Sequence, residues 1–519
     1  MRKDKYNLIA VTIFFIILSI FLYGKSGNML IDFSRESYIP YQILSSGNGN
    51  DVFLIYGPFG YFLNTLLYKL TVNINLLLIE SLMVAYTISI IFYYIIKHFT
   101  IKTIALFSTL FFITVSIFSN SAFSFAVPYS YSTLWAIFGI YIIIFSYLYK
   151  KEKLRYITLG FIALNKVELF VLCFIFILLN DIYTKNFKIK NYILSFGIVA
   201  IGYSVFLYCK LYFNFDILHN MLGANSLKYL YKGMGTFFDM GYLSYNLAHL
   251  SVCTIVSFIS YKIFNKNKLI SIAVILLLFI FINPQNIFQL GIFIAILLSI
   301  INRNKLKKYD ILYLFFSTVL CLKAIFALNS MTYSNFGYVL ILFYIFRQLS
   351  FLINKKWLVY YFSIFILTTS FLQIKNYIVY PKLKLSTEIG TLNLYKSDLE
   401  LVKKTNDFIK NNISKNENLI IIPEGQIINL INHKNWQFYN STFTPLDFET
   451  FGEKNLIEKL KEYKTDYVVF YPRETSDYGA KDICKDYGVD FCIYIKDNYK
   501  QIKEIGTKRK VLIYNINEK

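Results

Sequence analysis

Asp32, Arg35 and Glu36 stand close together in the run Asp32-Phe-Ser-Arg-Glu36, shortly after the first apolar segment of the chain. A carboxylate can take the proton of a hydroxyl nucleophile. A guanidinium can hold the charge of a departing phosphate. Together these are the two duties of a transfer of a sugar from a lipid phosphate to an alcohol. Asp32 and Glu36 are the candidate catalytic residues. Tyr38 and Asp51 follow, and then the run Tyr56-Gly-Pro-Phe-Gly-Tyr61. Lys166 and Glu168 lie in Asn165-Lys-Val-Glu168, and Lys232 lies in a later polar stretch with His219 and Asp239. Arg35, Tyr38, Asp51, Tyr56, Pro58, Tyr61, Lys166, Glu168 and Lys232 are the candidate substrate-binding residues. The plainer alternative is a solvated first loop with Arg35 and Glu36 as interface anchors, and Lys166 paired with Glu168.

These residues need a membrane to stand on. Of 519 residues, 56% are hydrophobic and 19% aromatic, and the mean hydropathy is +0.49. That composition excludes an ordinary soluble protein and fits a polytopic helical membrane protein. The net charge of +22 is not spread evenly. Residues 1–376 hold 31 Lys plus Arg against 11 Asp plus Glu, whereas residues 377–519 hold 22 against 20. The excess belongs to the apolar part, where basic residues set orientation. A nucleic-acid surface would gather them on one exposed face of a soluble domain, so no nucleic acid is expected as a partner.

Seven basic clusters punctuate the apolar runs: Arg2/Lys3/Lys5, Lys97/Lys102, Lys150/Lys151/Lys153/Arg155, Lys185/Lys188/Lys190, Lys262/Lys266/Lys268, Arg303/Lys305/Lys307/Lys308 and Lys355/Lys356. The positive-inside rule puts all seven on the cytoplasmic side, with two helices between each cluster and the next. Residues 6–23, 74–96, 103–119, 128–149, 191–213, 243–263, 269–283, 287–301, 310–328, 333–351 and 357–374 read as spans. Tyr156 to Asp181 is too short for two ordinary spans, so it must be two short helices hinged at Asn165-Lys-Val-Glu168. The polar tip of such a hairpin has to be covered by protein or line a wet cavity. The count is about thirteen membrane helices. The N-terminus is then cytoplasmic and residues 377–519 extracytoplasmic, in an inner or plasma membrane. The first apolar run reads as a retained helix rather than a cleaved signal. Tyr56 to Leu70 reads as an interfacial stretch, with Tyr56, Tyr61 and Tyr68 in the aromatic belt and Tyr68 serving as an anchor only.

Residues 377–519 read as a small α/β domain. Helices are predicted at Leu399 to Asn411 and Leu456 to Tyr463. Strands are predicted at Leu419 to Pro423, Tyr467 to Tyr471, Phe491 to Ile495 and Lys510 to Tyr514. The polar runs Pro423-Glu-Gly-Gln426 and Arg473-Glu-Thr-Ser-Asp-Tyr-Gly479 lie beside strands and could recognise an acceptor. Cys484 and Cys492 could form a disulfide outside the cytoplasm. Cys173, Cys209, Cys253 and Cys321 lie in apolar runs and read as small core residues.

A first helix, then Asp-x-x-Arg-Glu-x-Tyr, an extended loop, and Tyr-Gly-Pro-Phe-Gly-Tyr before the next helix resembles the GT-C superfamily of membrane glycosyltransferases. The likeness is to its family-39 type, the protein O-mannosyltransferases and lipid A aminoarabinose transferases. Asp32 matches the lead aspartate of the first extracytoplasmic loop, and Arg35, Glu36 and Tyr38 match the polar residues after it. Tyr56 to Tyr61 falls where many members have a Pro-Pro-Leu-like turn. Gly160-Phe-Ile-Ala-Leu-Asn-Lys166 resembles the segment that ends in a lysine. The resemblance covers about residues 6–180, and beyond them only the architecture. It implies inverting transfer from a polyprenyl-phosphate sugar to a glycan, lipid or protein acceptor, with Asp32 as base. The lysine that some members carry before the Pro-Pro turn is replaced here by Ile55-Tyr56, so the phosphate falls to Arg35, Lys166 or the later loop. Phe33 stands where some members have a second acid. No cofactor is therefore required, and a divalent cation stays open.

Other classes make other demands. A transporter calls for paired charges at mid-membrane and an internal repeat, and the sequence has neither. A lipid-linked glycan polymerase or ligase would concentrate basic residues in a large later loop, and residues 214–242, with His219, Lys228 and Lys232, keep that reading open. A non-catalytic scaffold would tolerate replacement of Asp32 and Glu36.

Overall fold

The computed structural model describes residues 2–46, 54, 56–119, 124–211, 291–321, 336–352, 358, 362, 366, 370, 371, 373–434, 440, 442–475 and 478–516. The membrane part is helical. Its elements are α1 (Arg2–Leu22), α2 (Asp32–Ser46), α3 (Pro58–Leu70), α4 (Ile74–Phe99), α5 (Lys102–Phe112, running into a π-helical turn at Ile113–Ile117), α6 (Tyr131–Leu148), α7 (Glu152–Ala163), α8 (Val167–Tyr183) and α9 (Ile189–Tyr208). After the undescribed 212–290 come α10 (Gly291–Ile301), α11 (Lys308–Leu320) and α12 (Tyr338–Leu349). Among the described residues four helices are long and apolar enough to cross a membrane, α1, α4, α6 and α9. The protein is a membrane protein. The spans expected at 243–263 and 269–283 lie outside the described residues, as do most of 357–374.

The described basic clusters meet at one end of the bundle. Asp4 pairs with Lys97 and with Lys102, each at 3.0 Å. The neighbouring His98 ring packs on Tyr149 and Tyr309. Lys150, Arg155, Lys188 and Lys308 line a single cleft. The charged motif lies at the other end, where Glu36 binds the first residue of α6, Tyr131. The 18 residues of α6 separate the two ends by about 27 Å.

The expected hairpin is present. α7 and α8 turn at Leu164 to Lys166, and the tip is covered by the chain after Tyr56. Gly57 N donates to Asn165 O at 2.8 Å and Phe59 N to Leu164 O at 3.2 Å. A Cβ on Gly57 would stand 2.4 Å from Asn165 O, so only glycine lets the two backbones approach this closely.

The tail opens with an antiparallel hairpin, β1 (Leu383–Thr387) and β2 (Gly390–Leu394). α13 (Lys396–Asn412), β3 (Leu419–Ile422), α14 (Ile427–Ile431), α15 (Pro445–Phe451), α16 (Glu453–Glu462) and β4 (Tyr467–Phe470) follow, then α17 (Val489–Asn498), β5 (Tyr499–Ile505) and β6 (Val511–Ile516). The four-stranded sheet has the order β3-β4-β6-β5, parallel between β3 and β4 and antiparallel elsewhere. The strand expected at Phe491 to Ile495 is a helix. Phe491, Cys492 and Ile495 are buried at helical spacing, and Asp490 lies in the first turn. β5, which carries mostly exposed polar side chains, is the edge strand there. Cys484 and Cys492 are disulfide-bonded.

The tail is not tethered loosely. Its apolar core, with Ile421, Ile427 and Val469, runs on without a break into Met29, Phe33, Tyr38, Leu77 and Tyr131 of the membrane part. Ile74 N donates to Ile389 O at 2.8 Å, and Asn393 Nδ2 to Tyr23 O at 3.2 Å.

Candidate functional site

The motif expected in a loop is a helix, buried from Phe33 to Pro40 between bundle and tail. Helical spacing splits its residues between two faces. Ile39 and Ile43 pack with Leu54, Tyr61, Leu164 and Phe206 of the bundle. Ser34, Tyr38 and Tyr41 meet the tail: Ile427 N donates to Ser34 Oγ at 2.6 Å, Tyr38 Oη donates to Lys434 O at 2.8 Å, and the Tyr41 ring packs on His433. Tyr38 therefore fastens the tail to α2.

Glu36 is fully buried. Its Oε2 accepts from Tyr131 N at 3.0 Å, and its Oε1 accepts from Tyr61 Oη at 3.1 Å and from Arg35 Nε at 3.4 Å. Burial pushes its carboxyl up, while Arg35, the Tyr131 N–H and the Tyr61 hydroxyl hold it down. Glu36 ties α2 to α3 and α6. Asp32, in the first turn of α2, keeps 24% of its side chain exposed, against 0% for Glu36. Of the two motif carboxylates, Asp32 is the more exposed.

Arg35 donates to Tyr129 O at 3.1 Å and lies 3.5 Å from Asp32 Oδ1. Its guanidinium sits 5.8 Å from the Tyr56 ring centre. Lys166 comes to the same ring from the hairpin tip, with Nζ 4.8 Å from the centre. Lys166 is buried and pairs at 2.6 Å with Glu168, whose side chain is 59% exposed. Tyr129 lies edge-on to Tyr56 and is a further partner of Lys166. Two cations more than a hundred positions apart in sequence thus converge on one aromatic ring, an arrangement that suits an anion.

The Tyr56 to Tyr61 run is accounted for residue by residue. Tyr56 carries the two cations, and Gly57 admits the hairpin tip. Pro58 begins α3, where its missing N–H costs nothing. Gly60 lets α3 lie on the start of α6, where a Cβ would meet Ser132 N at 2.7 Å. Tyr61 reaches Glu36. The aromatic-belt expectation fails for Tyr61 and Tyr68, which are 0% and 2% exposed and packed inside the protein. Residues three and seven apart on a short helix share a face, and that face of α3 meets α2 rather than lipid. Asp51 and Lys232 lie outside the described residues.

The tail adds a carboxylate that the sequence marked only as part of a polar loop. Glu424 follows β3 and is 3% exposed. It pairs with Arg473, the next loop over, at 2.7 Å. Burial pushes its carboxyl up to about 7; Arg473 opposes the rise, the nearby Asp32 adds to it and Arg35 opposes it. Asp32 and Arg35 are therefore within electrostatic reach of Glu424. Asp447, on α15, is also buried, and its carboxylate accepts from Thr442 and Thr444 at 2.7 Å. No signal in the sequence linked 424 to 32; only the tail fold does. Among the described residues no three His, Cys, Asp or Glu side chains gather as a metal site. No protein-family model and no curated protein matches the chain.

Proposed function

We propose that this protein is an integral-membrane glycosyltransferase of the GT-C kind. It moves a sugar from a polyprenyl-phosphate donor to an extracytoplasmic glycan, lipid or protein acceptor. The observation that carries the reading is the convergence of Arg35 and Lys166 on Tyr56 beside the partly exposed Asp32. Asp32 takes the proton of the acceptor hydroxyl as its oxygen bonds to the anomeric carbon. The bond from that carbon to the phosphate oxygen breaks, and its electron pair leaves with the polyprenyl phosphate. Attack opposite the leaving group inverts the anomeric centre. Arg35 and Lys166 hold the phosphate, whose charge grows as the bond breaks. Glu36 is a positioning residue. On the same reading, with about thirteen membrane helices and the basic clusters in the cytoplasm, this end of the bundle and the tail lie on the outer face.

Mass spectrometry of surface glycans, lipids and proteins from cells with and without the chain identifies the transferred sugar. In the Asp32→Asn variant, at equal membrane abundance, that product is lost. Wild-type product from Asp32→Asn overturns the reading.

A further inference from the structure

We propose that Glu424, held by Arg473, is a positioning residue for the acceptor, and that the acceptor is a carbohydrate presenting neighbouring hydroxyls. The inference rests on the glycosyl-transfer reading above. Three observations support it.

The first is placement. The loop of Glu424 is fixed to α2 by the hydrogen bond from Ile427 N to Ser34 Oγ, two residues from Asp32 and next to Arg35. The following helix, α14, packs along α2. Glu424 is thus locked in register with the base rather than carried on a separate module.

The second is chemistry. A buried carboxylate needs hydrogen-bond donors for four lone-pair sites. Arg473 Nε supplies one donor at 2.7 Å. Another arm of the same guanidinium, Nη1, donates to Glu474 O. An acceptor hydroxyl is a donor that Glu424 can still take. The same loop contains a fully buried amide, Gln426, whose Nε2 has no partner among the described residues. A carboxylate and an amide carried on one loop can bind hydroxyls as acceptor and donor.

The third is the division of labour among charges. Arg35 and Lys166 meet at Tyr56 and Tyr129 of the bundle. Glu424 and Arg473 come from the tail. The donor phosphate is served from the bundle, so the tail is left to the acceptor. A single serine or threonine hydroxyl would satisfy Asp32 alone. Two carboxylates, one for the attacking hydroxyl and one for its neighbour, fit a sugar.

The test compares Glu424→Gln, Glu424→Asp and Asp32→Asn in cells, with surface glycans and glycoproteins measured by mass spectrometry. Purified full-length protein in detergent is titrated with decaprenyl phosphate, and binding is followed by thermal shift. Glu424→Gln is expected to lower the glycan product at least tenfold while leaving decaprenyl phosphate binding within twofold. Glu424→Asp is expected to recover part of the product. A loss of decaprenyl phosphate binding together with product would mean that the tail had merely come undocked, and would overturn the acceptor role. Wild-type product from Glu424→Gln, with Asp32→Asn inactive, overturns this inference and leaves the glycosyltransferase reading standing. Wild-type product from Asp32→Asn overturns both. A product found only on serine or threonine of proteins overturns the carbohydrate acceptor.

Discussion

A charged cluster stands at each end of α6, and the two are built differently. At the C-terminal end Asp181 is buried and accepts from Tyr156 and, at 2.9 Å, from Tyr192. Arg155 lies 3.9 Å from it, with its guanidinium 3.4 Å over the Tyr147 ring. Glu152 holds Lys188 at 3.1 Å and Asn191 at 2.7 Å. These carboxylates fasten α7, α8 and α9 together. At the N-terminal end Glu36 does the same work for α2, α3 and α6, but Asp32 stays partly exposed and two cations share one ring. The carboxylates at the C-terminal end all answer to helix-tying partners, whereas at the N-terminal end Asp32 keeps 24% of its side chain exposed beside two cations that share a ring.

The largest effects should separate the two ends cleanly. Asp181→Ala leaves Arg155 without its buried partner and should cost about 3–5 kcal/mol of stability. The surviving folded protein should transfer sugar normally. Asp32→Asn should cost less than about 1 kcal/mol, since its ion pair is partly exposed, yet lower transfer at least about a hundredfold. Detergent melting curves and product yield per folded molecule measure the two quantities. If both variants lose stability and activity in proportion, the contrast between the ends is false.

The second effect belongs to the tail loop. Glu424 rises from the ordinary carboxyl value of 4.5 to about 7 in the folded protein, chiefly through burial. A raised carboxyl contributes stability that is full below 4.5 and is lost as pH climbs through 7. The melting temperature should therefore fall between pH 5 and pH 8, by a contribution of up to about 3 kcal/mol. Glu424→Gln should flatten that slope. Lys382, pushed by burial down to about 8, titrates at the upper edge of this window and with the opposite sign. A slope unchanged in Glu424→Gln would place its source elsewhere.

How much of this was legible in the sequence follows from what each signal depends on. The apolar runs and the hairpin at Asn165 were readable because periodicity and basic clusters are local. The hairpin tip's partner was not, since the pairing of Gly57 with Asn165 joins segments more than a hundred residues apart. Asp32, Arg35 and Lys166 could be named from type and position. Their convergence on Tyr56 needed the fold. Tyr61 and Tyr68 were misplaced because an aromatic residue near a membrane surface looks the same whether it faces lipid or a neighbouring helix. Phe491 to Ile495 was misread because a short apolar run fits strand and helix equally. Glu424 was hidden among polar residues that any strand-end loop would carry.

A third effect probes the cations. Lys166→Gln removes a buried charge from the Tyr56 ring and should weaken donor use about tenfold to a hundredfold, read as kcat/KM for the polyprenyl-phosphate sugar. Lys188→Gln, at the opposite end, breaks an exposed pair worth at most about 1 kcal/mol and should leave kcat/KM unchanged. Equal losses from both would mean that Lys166 acts through general packing.

The smallest effect is the sharpest comparison, because it removes the same atom at each end. Tyr61→Phe deletes the hydroxyl that Glu36 accepts at 3.1 Å, and Tyr192→Phe deletes the one that Asp181 accepts at 2.9 Å. Each change takes one hydrogen bond from a buried carboxylate and should cost about 1.5 kcal/mol. The ring stays in place, so packing is preserved. In Tyr192→Phe that cost ends in stability, because Asp181 holds only helices. In Tyr61→Phe the loosened Glu36 also frees the turn of α2 that carries Asp32 and Arg35. A severalfold fall in kcat should follow, since the base is displaced, with a smaller rise in KM as Arg35 loosens while Lys166 stays at the Tyr56 ring. Matching melting curves with different kcat would show that one end of α6 is tied to chemistry and the other to structure alone. Matching kcat values would reduce Glu36 to the same role as Asp181.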